Sequence, residues 1–386
     1  MNYSAYNTWI ELSEIAYRNN IDFFKKRSGK NTEISVVLKS NAYGHGILKM
    51  AELARRAGIK TVCVHSFEEA ITLCEGDFSF RIILLGPVPF MRLSEVVAAD
   101  NIEPVCYNRE NLLELRRHAL KMKKNVRIHL KVETGTNRQG IEGKELKTFL
   151  SELAAGEGVE LVSVYTHFAN IEDTTTHDYA EYQIERYEKA VDLVKKAGFS
   201  GFKRHLACSA AAAIFDKTHR DMIRLGISQY GLWSSKETYL SYISEHGHPE
   251  KGHILEPVMT WKTRISQIKK IPPNSYIGYG CTYQTTRETI VAVLPVGYSD
   301  GYDRLLSNSS YVLIHGKRAP VRGRIMMNLM VVDVTDIPEA SLEDEVVLLG
   351  KWGKQSVSAD TLADFAGTIN YEIVTRIAPH IPRFIV

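Results

Sequence analysis

The stretch VVLKSNAYGHG, residues 36–46, runs a short apolar segment rich in β-branched residues straight into Lys39. A run of that composition reads as a buried strand. A lone lysine that closes a strand ordinarily points to solvent. This one is followed by a small polar pair, by Tyr43, and by His45 between two glycines, a turn that glycine makes easy. A second stretch, RIHLKVE (127–133), alternates apolar and polar residues, so Arg127, His129, Lys131 and Glu133 share one face of a strand. A lysine on the inner face of a barrel is costly as a cation unless neutralised or paired. An ion pair of Lys131 with Glu133 is the simplest solution. His167, Asp173 and His177 lie close together in HFANIEDTTTH, but their spacing matches no standard metal motif, and no metal is expected.

The elements that must position these groups alternate in type. A helical pattern near Ile10–Phe24 comes first. Strand-like runs then recur at Ser35–Leu38, Lys60–Val64, Arg81–Leu85, Glu103–Cys106, Val126–Val132, Val159–Thr166, Phe202–Ala207 and Met222–Ser228, with amphipathic segments such as Arg109–Leu120 and Tyr179–Ala197 between them. Eight βα units predict an α/β fold built on a closed (β/α)8 TIM-type barrel. An open doubly wound sheet is the runner-up, and no G-x-G-x-x-G follows any strand to support it. SSKETYLSYISEHGHPEKGHILEP reads as a polar linker. From Val258 onward short strands crowd together, as in TIVAVLPVG, YVLIHG and EVVLLG. The expected division is a barrel over residues 1–245 and a mainly β C-terminal domain over 246–386.

In such a barrel the chemistry sits where strands end. Those ends carry Lys39, the KVETGTNRQG run with Arg138, His167, Cys208-Ser209, and Arg224 with Gly226. Loops after the seventh and eighth strands commonly hold a phosphate. Here they offer the Ser209 hydroxyl and the N–H groups of Gly226 and Ile227. A phosphate beside a strand-end lysine suggests pyridoxal 5′-phosphate bound through that lysine. Ser209 also fits a helix N-cap before the alanine run, and Gly226 a plain turn residue.

The bulk numbers narrow the function classes. The 386 residues suggest two or three domains, and 44% hydrophobic with 24% charged residues is a globular composition. A net charge of +3 without a dense basic block offers no footprint for nucleic acid. No apolar run approaches the roughly 18 residues of a membrane span, and the N-terminus has no signal-peptide pattern. The cysteines at 63, 74, 106, 208 and 281 are scattered and form no C-x-x-C pair, which points to a reducing, cytoplasmic setting.

Taken in order, VVLKSNAYGHG, HLKVETGTNRQG, THFA, HLACSAA, IRLGISQYG, YGCTY, PVGYSDGYDR, GRIMMN and NYEIVTRI resemble the alanine racemases over nearly the whole chain. The resemblance implies a fold-type III pyridoxal-phosphate isomerase that interconverts L- and D-alanine, in D-alanine biosynthesis or in catabolism. It implies that Lys39 carries the cofactor and acts as base on the D face. Tyr43, Ser209, Gly226 and Ile227 would hold the phosphate. Arg224 would face the pyridine nitrogen. A guanidinium can only donate, so that nitrogen would stay unprotonated and the ring a weaker electron sink, which suits racemisation over transamination. Tyr279 of the partner subunit would be the L-face base, assisted by His167 and Arg224, which requires a homodimer with shared sites. A phenol with an ordinary pKa near 10 needs such help. Arg138 and Met327 would contact the amino-acid substrate. Lys131 would be carbamylated and orient Arg138.

The chain departs from that pattern at several points. Pro379 stands where a second phosphate-contacting tyrosine is usual, with His380 beside it as a possible substitute. Asn328 replaces an aspartate, and Asn137 and Gln139 flank Arg138 in place of smaller or apolar residues. These changes keep a serine or broad-specificity amino-acid racemase open as the alternative. A non-catalytic cofactor carrier would lack the β domain and Tyr279. A decarboxylase would need an acid where Arg224 stands.

Overall fold

The computed structural model describes residues 5–248 and 254–386. These fall into two compact units. One holds the residues through Ala16, Asn41–Lys49 and those from Pro257; the other holds Tyr17–Ser40 and Met50 to Glu256. The chain's first strand, β1 (Thr8–Leu12), belongs to the former unit. The helical pattern expected over Ile10–Phe24 is therefore corrected: Ile10 and Leu12 lie in a strand, and the helix runs from Glu14 to Ser28. Pairing with distant strands overrides local spacing here.

Eight parallel strands follow: β2 (Glu33–Val37), β3 (Thr61–Val64), β4 (Arg81–Leu84), β5 (Ile102–Cys106), β6 (Val126–Lys131), β7 (Val159–Tyr165), β8 (Lys203–His205) and β9 (Met222–Leu225). Their order is β8-β7-β6-β5-β4-β3-β2-β9, with Ser35 opposite Arg224 across the β2–β9 pair. The ring is brought together at β8 and β9, where Asp221 N–H donates to Arg204 O (3.1 Å) and Arg224 N–H to Ala207 O (3.0 Å). The unit is the (β/α)8 barrel expected from the eight βα repeats. Its interior carries more polar groups than the branched apolar layers usual in such barrels: Ser35, Thr61, Glu103, His129, Ser163, His205 and Arg224 are all buried. The supposed linker is also corrected in part. Lys236–His246 is a helix, started by Ser235 Oγ accepting Thr238 N–H at 2.9 Å. Residues 249–253 of that stretch, with Pro249 of its turn, lie outside the described residues.

The second unit continues with β10 (Met259–Arg264), β11 (Gln267–Ile271), β12 (Thr289–Leu294), β13 (Tyr311–Ile314), β14 (Lys317–Pro320), β15 (Met330–Asp333), β16 (Glu345–Trp352), β17 (Gln355–Val357) and β18 (Arg383–Ile385). One sheet has the order β14-β13-β16-β10-β1-β18, with β17 added to β16; a second is β11-β12-β15. Trp9, Ile10, Leu12, Trp261, Val346 and Leu348 are buried in the first of these. The unit is mainly β, with short helices at Ala359–Ala366 and Asn370–Thr375. No helix among the described residues is long and apolar enough to cross a membrane.

At the N-terminal start of β2, Glu33 bonds Thr61 and Lys203 and pairs with Arg81 at 2.6 Å. Burial pushes its carboxyl up, but the bonds from Lys203 and Thr61 and the Arg81 guanidinium outweigh it and hold the group at about 2. A carboxylate depressed in the fold stabilises it above its ordinary value and loses that contribution as pH falls toward the folded one. The Glu33 cluster is expected to contribute about 1–3 kcal/mol after solvent screening, present above pH 4.5 and lost toward about pH 2. Thermal melts of the wild type and Glu33→Gln across that window test this. Parallel melting curves for the two proteins would refute it.

Candidate active site

The turn that carries Lys39 is wound the wrong way for L-residues. Lys39–Tyr43 forms one helical turn in which Ser40, Asn41, Ala42 and Tyr43 have φ of 55, 53, 54 and 53°. Left-handed helix costs roughly 1–2 kcal/mol per non-glycine residue, and such strain persists only where surrounding structure dictates it. On the barrel side, Gln229 Nε2 donates to Val37 O (3.0 Å) and Leu225 O (2.8 Å), and Tyr230 OH also donates to Val37 O (2.8 Å). Glu69 Oε1 accepts Ser40 N–H at 2.5 Å. In the β unit, Ile47 N–H donates to Asn41 Oδ1 (2.9 Å), and Gly46 N–H to Asn41 O (2.9 Å). The buried Arg383 donates to Gly44 O through Nε (3.3 Å) and Nη2 (2.9 Å), and to Ala378 and Pro379 carbonyls at 3.0 Å. Gly44 has φ 80°, and a Cβ there would lie 1.9 Å from Val374 O. Sequence reading placed the special backbone at the glycines; it begins four residues earlier.

Around the C-terminal ends of the barrel strands stand Lys39, Lys131, Arg138, His167 and Arg224. Lys39 is half-buried, and its amine is held below its ordinary value by burial and then by the charge of Arg138. Burial and the charges of Arg138 and Arg224 bring the Lys131 amine down to about 8. Lys131 Nζ donates to Gln139 Oε1 at 3.3 Å. Glu133 accepts Gly135 N–H (2.6 Å) and Arg138 N–H (3.3 Å) instead, so it shapes the loop that presents Arg138. The polar row read from RIHLKVE thus divides: His129 and Lys131 are buried, Arg127 is exposed at the start of β6, and Glu133 lies past its end. His167 is driven well below its usual range by burial and then by Arg224, Arg138, Lys131 and Lys39, which keeps it neutral. Its carbonyl accepts from Thr136 Oγ1 (2.6 Å) and Gln183 Nε2 (3.2 Å).

Arg224 is 4% exposed. Its Nη1 donates to His205 Nδ1 (2.7 Å) and His205 O (3.2 Å), its Nη2 to Thr166 O (2.8 Å), and its guanidinium lies 4.9 Å from the Tyr165 ring. After β8 and β9, Ser209 Oγ accepts N–H from Gly226 (2.9 Å) and Ser228 (3.3 Å), leaving its own proton to donate. Ser209 is helix position one, after Cys208, so the N-cap alternative does not hold.

The β unit holds the remaining candidates. Tyr43 is buried, its ring centroid 6.0 Å from that of Tyr371. Tyr279 sits in a short turn between Gly278 and Gly280, both at φ 72°, and is 73% exposed. Met327 is exposed, and its carbonyl accepts from Ser299 N–H (3.0 Å) and Ser299 Oγ (2.8 Å). Asn328 Nδ2 donates to Ser299 Oγ (2.8 Å). His380 lies against Asp300 at 3.2 Å, tied to that turn.

Four cationic side chains crowd one mouth with a depressed amine at its strand end, a donating hydroxyl, and a guanidinium whose polar partners are an imidazole and carbonyls. That donor set fits pyridoxal 5′-phosphate: an amine for its aldehyde, donors for its phosphate, and a proton donor for its ring nitrogen. The model of the N-terminal domain of alanine racemase matches residues 12–234, and that of the C-terminal domain matches residues 258–385. The chain belongs to the alanine racemase family. This racemase is an isomerase of the fold-type III pyridoxal-phosphate class. It is 41% identical over 382 residues to an alanine racemase of Leptospira interrogans, covering 99% of this chain and 96% of the relative. An alanine racemase of Halothermothrix orenii is 37% identical over 97% of this chain and 96% of its own. A solved alanine racemase of Bacillus anthracis with bound L-Ala-P superposes with a TM-score of 0.89 at 32% identity, over 98% and 95% of the two chains. One from Bartonella henselae with covalently bound pyridoxal phosphate has a TM-score of 0.84 at 25% identity, over 99% and 100%.

The racemase also uses groups that sequence reading passed over. His205 lay in plain sight in HLACSAA, two residues before the end of a strand-like run. Gln229, Glu69 and Arg383 had no local signal, because each acts on backbone far away in the chain. Gly44→Ala is expected to lower stability by more than about 2 kcal/mol, since it adds left-handed strain to a backbone clash. A melt within about 0.5 kcal/mol of wild type would mean that the turn is not held as described.

Proposed function

We propose that this chain interconverts L- and D-alanine with pyridoxal 5′-phosphate, using one base on each side of the substrate Cα. The observation that carries this reading is the match of both racemase domains along the chain, with 41% identity to an alanine racemase. When bound, the cofactor supplies a conjugated electron sink that acidifies the Cα–H bond. Lys39 would hold it covalently and, once displaced by the substrate's amine, would serve as the base on the D face. Burial and then the charge of Arg138 lower its amine below the ordinary lysine value, which favours the neutral form that a base requires. Tyr43 and Ser209 donate hydroxyl protons to the phosphate, joined by the N–H groups of Gly226 and Ile227. Arg224 donates to the ring nitrogen and keeps its proton. Arg138 binds the substrate carboxylate. Tyr279 of the partner subunit exchanges the proton on the L face, and neutral His167 can take up or pass on that proton. Met327 of the partner subunit lends a backbone contact.

A homodimer follows from that division of roles: a barrel domain over 1–245 holds the cofactor and a β domain over 246–386 supplies the second base. The exposure of Tyr276, Tyr279, Met327 and Leu329 on the β unit supports a covered surface. A cytoplasmic setting agrees with five free cysteines. Serine or broader specificity is a second reading, favoured by Pro379, which has no hydroxyl, and by His380, which is tied to Asp300.

Purified protein in D₂O is expected to place deuterium at Cα of alanine with inversion; no exchange would end this reading. An alanine-over-serine turnover ratio above about a thousand would remove the broad-specificity alternative. Mixing Lys39→Ala and Tyr279→Phe proteins, each impaired alone, is expected to restore activity toward about a quarter of wild type, because half the dimers carry one intact site. No recovery on mixing would mean that Tyr279 does not act across subunits.

Lys131 is the proposed carbamate. At about 8 its amine is neutral often enough to attack CO₂, releasing its proton to water and leaving an anion beside Arg138. A ¹³C-carbamate resonance with labelled bicarbonate, absent in Lys131→Gln, is the expected result. Its absence from wild type would leave the plain Lys131–Gln139 bond.

A further inference from the structure

Five buried polar side chains cross the barrel interior in line. Arg224 Nη1 lies 2.7 Å from His205 Nδ1, and His205 Nε2 lies 2.8 Å from Ser163 Oγ. Ser163 Oγ lies 2.5 Å from His129 Nδ1, and His129 Nε2 lies 2.7 Å from Glu103 Oε2. Glu103 Oε1 pairs with Arg127 at 2.8 Å on the N-terminal side of the strands. None of Glu103, His129, Ser163, His205 and Arg224 is more than 4% exposed.

The proton positions in this chain follow from donor chemistry together with burial. A guanidinium has protons only to give, so His205 Nδ1 accepts. Burial, with the charge of Arg224, His129 and Lys203, drives His205 well below its usual range. Its one proton therefore sits on Nε2 and goes to Ser163 Oγ. That hydroxyl then gives its own proton to His129 Nδ1. Burial also lowers His129, against the pull of Glu103. The His129 proton is left on Nε2 and ends on the Glu103 carboxylate. Every link has one donor and one acceptor. Reversing the His205–Ser163 link would set two donors face to face at Arg224, and reversing either His129 link would set two acceptors face to face at Glu103. The Tyr165 ring stacks on His205, with centroids 4.9 Å apart and planes 5° from parallel.

We infer that Glu103, His129 and Ser163 are positioning residues that fix the His205 tautomer and thereby hold Arg224 as an oriented donor toward the cofactor's ring nitrogen. The inference rests on the racemase reading above. A carboxylate bonded directly to Arg224 would orient it too, but would put a proton-accepting anion beside that nitrogen. Four links of distance give direction without that charge.

The test is ¹⁵N NMR of histidine-labelled holoenzyme. Wild-type His129 and His205 are expected as neutral rings protonated on Nε2 between about pH 6 and 9. In Glu103→Gln, the new amide oxygen still accepts from Arg127, which turns its NH₂ toward His129. The His129 proton is then expected on Nδ1, and the disturbance to reach His205. kcat is expected to fall about tenfold with KM within about twofold. Wild-type His205 protonated on Nδ1, or found as a cation, would overturn the inference even if the variant does not fold. So would a variant with wild-type tautomers and kcat but a lower Tm, which would make Glu103 merely structural. Deuterium exchange into alanine by the wild type reports on the racemase reading separately.

Discussion

Burial and, after it, repulsion among like charges govern the mouth of this barrel. Lys39, Lys131, Arg138 and Arg224 share it, and each lowers the affinity of its neighbours for protons. The two guanidiniums stay charged, because theirs is the more basic group. The two amines and His167 yield. The outcome is a site with positive charge for anions and with amines shifted toward the neutral form that a nucleophile or base requires. Burial is the larger cause at the two amines and at His167, since it disfavours every charged form that lacks a partner.

Holding that arrangement requires backbone strain. Four consecutive non-glycine residues, Ser40–Tyr43, wind left-handed directly after Lys39. The opposing forces are ordinary hydrogen bonds, each worth about 1 kcal/mol net, from Gln229, Tyr230, Glu69 and Arg383. Arg383 makes several of these. A buried guanidinium has few ways to satisfy five donors, and the Gly44 and C-terminal carbonyls are where it does so. The fold thus uses one buried cation to stabilise a backbone that no local preference would choose.

The barrel interior follows the same logic in another form. Polar side chains there replace some of the usual apolar layers, and each has a partner across a neighbouring strand. A buried polar network of this kind is stable only when every member is satisfied, and complete satisfaction leaves it a single arrangement. Rigidity at Arg224 therefore begins at the opposite end of the strands.

Much of the protein was legible as a string of residues. Eight recurrent apolar runs separated by amphipathic segments determined the barrel, because burial on both faces of a parallel strand demands that composition. Strand-end chemistry pointed to the cofactor, and an ordered series of motifs pointed to the family. What the tertiary structure decided is everything that depends on partners distant in sequence. Thr8–Leu12 became a strand because β10 and β18 were there to pair with it. Lys236–His246 became a helix within a polar stretch that lacks a strong apolar face. Glu133 turned to its own loop and left Lys131 to Gln139. The left-handed turn and the line from Arg224 to Glu103 have no signature in any window of residues. Both are set mainly by hydrogen bonds between groups distant in sequence, and hydrogen bonds depend on distance and direction in space.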